Sequence, residues 1–385
     1  MKDQLTAKQL ESTIAFFLVG SSLVTGSPTQ AGQDTWFCMI VGFLLNIPIL
    51  WVHSQIIEMY PGRNYFENIV KACGKPAGKA VCILLMLYSF FIASLVKKVF
   101  CNFIQTMNMP ETPFIFILLS IVFVEFYMSK KRLYVVARVS KFTLPVLMCT
   151  VGLTIVLSFK DMDFSNLKPV LKTGFGPMAN GILLSFTLPF GESILCAPLF
   201  GALDHKIKVF PVFLKGMLIG LGVNLFANLR NLLLLGSSAS IFVYPSYEAV
   251  SVIAVGEFFT RVEVIIGFNL LLAGFIKVCV TYFTCCQEVS KILDLEDYVP
   301  LFAPCGLILV TMIMLVSSNT EEMMNWLHYH PYLSLPFQVL IPVVVLITGK
   351  IRNKMQKKKT TSAKAKQPKQ VCANPSAAKS GSPEA

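Results

Sequence analysis

The stretch Thr187-Leu188-Pro189-Phe190-Gly191-Glu192-Ser193 sits in the middle of an apolar run covering residues 177–203. A run of that length is a candidate membrane-spanning helix, because about 20 residues rising 1.5 Å each cross the hydrocarbon core. Within it Pro189 removes a backbone donor and Gly191 permits unwinding, while Glu192 places a carboxylate where charge is costly. The first apolar run has a related interruption, with Gly20, Ser21 and Ser22 followed by Thr25, Gly26, Ser27 and Pro28.

Further apolar runs continue on both sides. Spans are predicted near residues 10–26, 36–57, 81–107, 113–128, 142–159, 177–203, 209–235, 257–286, 301–318 and 332–349, about ten in all. Residues 236–255 are apolar too, but Gly236, Pro245 and nearby serines favour an external loop with a short helix. Spans one and six hold matching places in two five-span halves. Gly/Pro-interrupted spans at matched positions point to a transporter-type site between inverted repeats. An unwound backbone turns NH groups toward a carboxylate and carbonyls toward an ammonium or cation. The candidate ligand-binding residues are therefore Gly20, Ser21, Ser22, Thr25, Gly26, Thr187, Pro189, Phe190, Gly191 and Glu192. The alternative is a pair of packing kinks, since Gly and Pro are common in membrane helices.

Composition agrees with the spans. Of the 385 residues, 55% are hydrophobic and only 14% charged, against about 25% charged in soluble domains. The net charge of +12 does not call for nucleic acid. Much of it lies beyond the last span, where Lys350, Arg352, Lys354, Lys357, Lys358 and Lys359 suit a cytoplasmic flank near anionic lipid. Basic residues also crowd the second-to-third loop (Arg63, Lys71, Lys75, Lys79) and the fourth-to-fifth (Lys130, Lys131, Arg132, Arg138, Lys141). The positive-inside rule then places both termini in the cytoplasm, against one acidic loop at residues 288–297. Residues 1–354 are expected to form the membrane domain and 355–385 a basic, disordered tail.

Charges inside spans need partners. Lys97 and Lys98 follow a long charge-free stretch, and a central lysine costs about 2.5–3.5 kcal/mol on insertion scales. Glu192 is the candidate partner for one of them; snorkelling to the interface is the alternative. Lys277 is buried deeper in the eighth span, and Glu257, Arg261 and Glu263 read as an interface cluster. The 11 cysteines show no metal-binding spacing, and His53, His205, His328 and His330 are scattered near span ends. With no catalytic constellation and no phosphate- or dinucleotide-binding motif, neither an enzyme nor a cofactor is expected.

Several short stretches together carry a resemblance. They are Gln33-Asp34-Thr35-Trp36, Tyr60-Pro61-Gly62-Arg63-Asn64-Tyr65-Phe66-Glu67, Gly74-Lys75-Pro76-Ala77-Gly78 and Glu111-Thr112-Pro113, followed by Asn166-Leu167-Lys168-Pro169-Val170-Leu171, Pro189-Phe190-Gly191-Glu192 and Arg261-Val262-Glu263. In this order they resemble the endospore germination permease family, the B subunit of nutrient germinant receptors, within the amino acid–polyamine–organocation transporter group. Departures occur at Leu133-Tyr134-Val135 and at Phe268 and Asn269. The resemblance implies an all-α membrane protein of ten helices in a five-plus-five inverted repeat like the leucine-transporter fold, with helices one and six broken. It further implies residence in the spore inner membrane, assembly with A and C subunits, and recognition of a small germinant such as an amino acid. A working amino-acid/proton symporter is the alternative.

Overall fold

The computed structural model describes residues 4–25, 29–130, 132–251, 263–316 and 320–365. Among them the architecture is helical, and the single bridge of β type joins Leu5 to Leu203. The helices are α1 (Ala7–Thr25), α2 (Thr35–Glu58), α3 (Tyr65–Cys73), α4 (Lys75–Met107), α5 (Phe114–Lys130), α6 (Arg132–Ser158), α7 (Phe175–Ser185), α8 (Val209–Leu235), α9 (Pro245–Ser251), α10 (Glu263–Ile292), α11 (Phe302–Val316), α12 (Thr320–Leu335) and α13 (Ile341–Ala365). Eight helical stretches are long and apolar enough to cross a bilayer. The shorter α5 and the 19-residue α1, about 28 Å long at 1.5 Å per residue, bring the crossings to ten. The protein is thus a multi-pass integral membrane protein. Its outer surface is apolar, with Phe116, Phe123, Phe142 and Val156 exposed toward lipid, while buried polar groups gather inside.

The packing makes the repeat visible. The crossings, in order, are α1, α2, α4, α5, α6, α7 with its continuation to Ala202, α8, α10, α11 and the α12–α13 pair. Crossing 1 packs on 7 and 2 on 6; 3 packs on 9 and 4 on 8; 1 packs on 3 and 6 on 8; 5 packs on 7 and 10 on 2. Each of these pairs turns into its partner when five is added or subtracted. The pairs 2–7, 3–8 and 4–9 map onto themselves. Because five is odd, the second half starts from the opposite face, and the repeat is inverted.

Loops fix the two ends. At one end the Asp34 carboxylate accepts hydrogen bonds from Leu171 N (2.7 Å), Thr173 N (3.0 Å) and Thr173 Oγ1 (2.6 Å). This joins two of the stretches quoted above, Gln33–Trp36 and Asn166–Leu171. At the other end Asn64 and Glu67 form a capping box on α3, and Asn68 Nδ2 donates to the last carbonyls of α2, Ile56 and Ile57, at 3.0 Å each. The short helix expected within residues 236–255 is α9. Residues 252–262 lie outside the described residues.

Two expectations change. The first span is a continuous helix through Gly20–Ser22 to Thr25, so the break expected there is absent; Gly26 lies outside the described residues. At the C-terminus α13 continues to Ala365, through residues expected to be disordered. Lys and Ala, good helix formers, make up much of residues 355–365 and extend a helix already nucleated in the membrane. Residues 366–385 lie outside the described part.

Candidate ligand site at the broken sixth span

The sixth crossing breaks where the sequence places its proline. α7 ends at Ser185, a wide turn covers Phe186–Phe190, and a tight 3₁₀ stretch runs from Gly191 to Ala202. Leu188 leaves helical geometry (φ −135°, ψ 117°), and the Leu188–Pro189 peptide is cis. Phe186 O still accepts from Gly191 N across the wide turn, and neighbouring spans add side-chain donors at the break. Asn46 Nδ2 donates to Phe186 O (3.3 Å), and Gln338 Nε2 donates to Thr187 O (3.0 Å) and to Tyr88 Oη (2.8 Å). Gly191 is closed against Gln338 so tightly that a Cβ would overlap the amide oxygen. Phe190 packs edge-on against Phe43, 5.4 Å between ring centres.

Glu192 follows at once, and its partner comes from the eighth span. Lys277 Nζ lies 2.5 Å from Glu192 Oε2, with side chains 0% and 2% exposed. His330 Nε2 approaches the other carboxylate oxygen at 3.4 Å, and Ser334 Oγ meets the same ring nitrogen at 3.2 Å. The ammonium also lies over the Phe17 ring, 4.7 Å from its centre. Crossings 1, 6, 8 and 10 therefore meet at one buried ion pair beside an opened backbone.

The pairing expected for Glu192 is corrected. Lys97 Nζ is 2.5 Å from Glu125 Oε2 on α5, both side chains fully buried, and Lys98 lies over the Phe114 ring at 4.3 Å. The two lysines point in different directions because neighbouring helical residues are about 100° apart. Glu192 is left to Lys277. Gly20 also has another task than unwinding: a Cβ there would lie 2.6 Å from Ala273 O and 2.9 Å from Lys277 Cβ, so its absence lets α10 approach α1. Ser22 Oγ donates back to Leu18 O (3.1 Å). Ser21 and Thr25 lie in α1. Glu257 and Arg261 lie outside the described residues. Sequence reading missed Glu125, His330, Asn46 and Gln338. A carboxylate alone in the apolar run of α5 was the available signal for the first.

A family model described as spore germination protein (spore permease) matches residues 4–322. The chain belongs to this spore germination permease family. Spore germination protein KB of Bacillus subtilis (strain 168) is 26% identical over 367 residues, covering 93% of this chain and 97% of the relative. Spore germination protein XB of Bacillus anthracis is 21% identical over 280 residues, covering 70% and 78%. Among solved structures, a nucleobase-cation-symport-1 family transporter in a closed conformation with bromovinylhydantoin bound superposes with a TM-score of 0.64. That likeness covers 88% of this chain and 78% of the transporter at 11% identity, and it shows the fold. This spore germination permease thus has a transporter architecture, with its broken helix in the sixth crossing.

Proposed function

We propose that the protein is the B subunit of a spore nutrient germinant receptor, which senses a small zwitterion, an amino acid, at the break of the sixth span. The observation that carries this reading is the buried Glu192–Lys277 pair beside the opened backbone at Thr187–Gly191. A buried ion pair contributes little net stability, because desolvation offsets its attraction. A ligand that brings its own ammonium to Glu192 and its own carboxylate to Lys277 replaces each charge by an equivalent one, so exchange is cheap. Separating Lys277 from Glu192 would then shift α10 against the 3₁₀ stretch, and that movement would pass to the A and C subunits. In this proposal the protein resides in the spore inner membrane with both termini in the cytoplasm, as the basic loops favour.

A second reading, an amino-acid/proton symporter, is favoured by one observation: His330 extends the pair by a third titratable group whose Nδ1 is buried without a hydrogen-bond partner. Uptake of a radiolabelled amino-acid panel into proteoliposomes, with binding measured on the same preparation, separates the two. The sensor binds without accumulating, and the binding component at the break disappears in Glu192→Gln. Accumulation driven by a proton gradient would establish the symporter instead.

A further inference from the structure

A cavity lies at the end of the bundle away from the chain's N-terminus, with a volume of about 370 Å³. It is built from the segment before α2, the connection between the fifth and sixth crossings, and the end of α8. Gln33, Trp36, Asn166, Lys168, Asn228 and Asn231 contribute its characteristic groups. No residue from the break, and neither Glu192 nor Lys277, lines it.

The ionic groups of its lining have one sign. Among the described residues Lys168 is the single ionic side chain in the lining, and no carboxylate is part of it. The nearby acids, Asp34 and Asp163, keep their charge but stand outside the lining, with oxygens held by Leu171 and Thr173 and by Ser165 N (2.8 Å) and Oγ (2.7 Å) respectively. Behind the wall stands Arg230, only 1% exposed. Its guanidinium donates to Asn231 Oδ1 from Nε (3.3 Å) and Nη2 (2.7 Å), to Thr154 Oγ1 from Nη1 (2.7 Å), and toward Ser246 O (3.5 Å). All of these acceptors are neutral. Among the described residues no carboxylate pairs with it, in contrast to Lys97 and Lys277, each of which has its own. A buried arginine stays charged, and a cation without a counter-ion in a low-dielectric wall raises the potential of the space beside it.

We propose that this cavity binds the carboxylate of a small free solute, at a site separate from the central ion pair. Lys168 supplies the rim charge and Arg230 the field from behind; Gln33, Asn166 and Asn231 each spend one amide N–H within the protein, on Pro169 O, Leu233 O (3.2 Å) and Ser246 Oγ (2.8 Å), and supply the second to a planar monoanion. The volume suits a molecule of amino-acid size together with water. A lipid phosphodiester offers the same single charge, so the test has to distinguish the two sources.

The chain has three tryptophans, and Trp36 lines the cavity. In a Trp51→Phe/Trp326→Phe background Trp36 becomes the sole reporter. The full-length protein, in nanodiscs of neutral phosphatidylcholine, is titrated with glycine, L-alanine, L-valine, propionate and L-alaninamide. At least one of the carboxylates gives a saturable change in Trp36 emission, and L-alaninamide, which lacks the carboxylate, gives none. Lys168→Glu weakens the response by about tenfold or more and Lys168→Arg retains it, while Gly191→Leu and Glu192→Gln leave it in place, which separates this site from the central one. Should the double-tryptophan variant misfold, calorimetric titration of the Gly191→Leu protein with the same solutes reads the same outcome. An equal response to L-alaninamide, no response to any carboxylate, or a response untouched by Lys168→Glu overturns the proposal. Phosphatidylglycerol that reproduces the emission change without solute, and competes with the carboxylates, would overturn it in favour of a lipid site.

Discussion

The first and sixth crossings hold equivalent places in the repeat, and both carry glycine at mid-depth, yet among the described residues only the sixth opens. In α1 the missing side chain of Gly20 is used for proximity: α10 comes close enough for Ala273 O to lie 2.6 Å from where a Cβ would stand, and the helix stays intact. In the sixth crossing Gly191 follows Pro189, which lacks an N–H, and Asn46 and Gln338 donate to the carbonyls of Phe186 and Thr187 at the break. Glycine alone gives a spanning helix close contact. Opening it also takes a proline and donors on neighbouring spans. The two glycines meet in one place, because Lys277 has its Cβ against Gly20 and its ammonium on Glu192.

The sharpest way to break this contrast is to remove one charge. Glu192→Gln leaves Lys277 buried without its counter-ion and is expected to destabilise by about 3–5 kcal/mol, while Glu192→Gln/Lys277→Met recovers most of the loss. Unfolding in detergent checks it, and additive effects would remove the pair from the centre of the site. Gly20→Ala comes next, at roughly 1–3 kcal/mol, because its Cβ overlaps backbone on α10. Gly222→Ala, where a Cβ meets nothing within 4 Å, is the neutral control. Gln338→Leu takes the donor away from Thr187 O and Tyr88 and is expected to cost about 1–2 kcal/mol. It also relaxes the break, so its amides in residues 186–191 should exchange faster with deuterium. At the small end, Lys79→Ala removes a pair with Asp294 whose side chains are 35% and 75% exposed. Its melting temperature should equal that of the wild type, because solvent screens such pairs.

Spans, loops and the position of the break were legible because each depends on local composition: apolar length, basic flanks, or a proline beside a glycine. The partners of buried charges were not. They depend on how each helix is rotated, and a helix apolar all round carries no stripe that reveals rotation. From composition alone Glu192 is therefore the candidate partner for Lys97, Glu125 goes unnoticed, and His330 reads as an ordinary interfacial histidine. The break expected in α1 failed for a related reason. Gly20 and Ser22 have the composition of an unwound segment, but composition cannot tell close helix packing from unwinding. Gln338 was hidden as well, since a single amide in an apolar span acquires meaning only when it meets Thr187 O.

The most direct test is equilibrium binding of a radiolabelled amino-acid panel to the full-length protein in nanodiscs, in a Lys168→Glu background that silences the cavity lined by Trp36 and Lys168. With Glu192 and Lys277 intact, at least one amino acid should bind saturably, and Glu192→Gln and Gly191→Leu should each abolish that binding while the protein still inserts and folds. Unchanged binding in both variants would contradict a ligand site at the break of the sixth span.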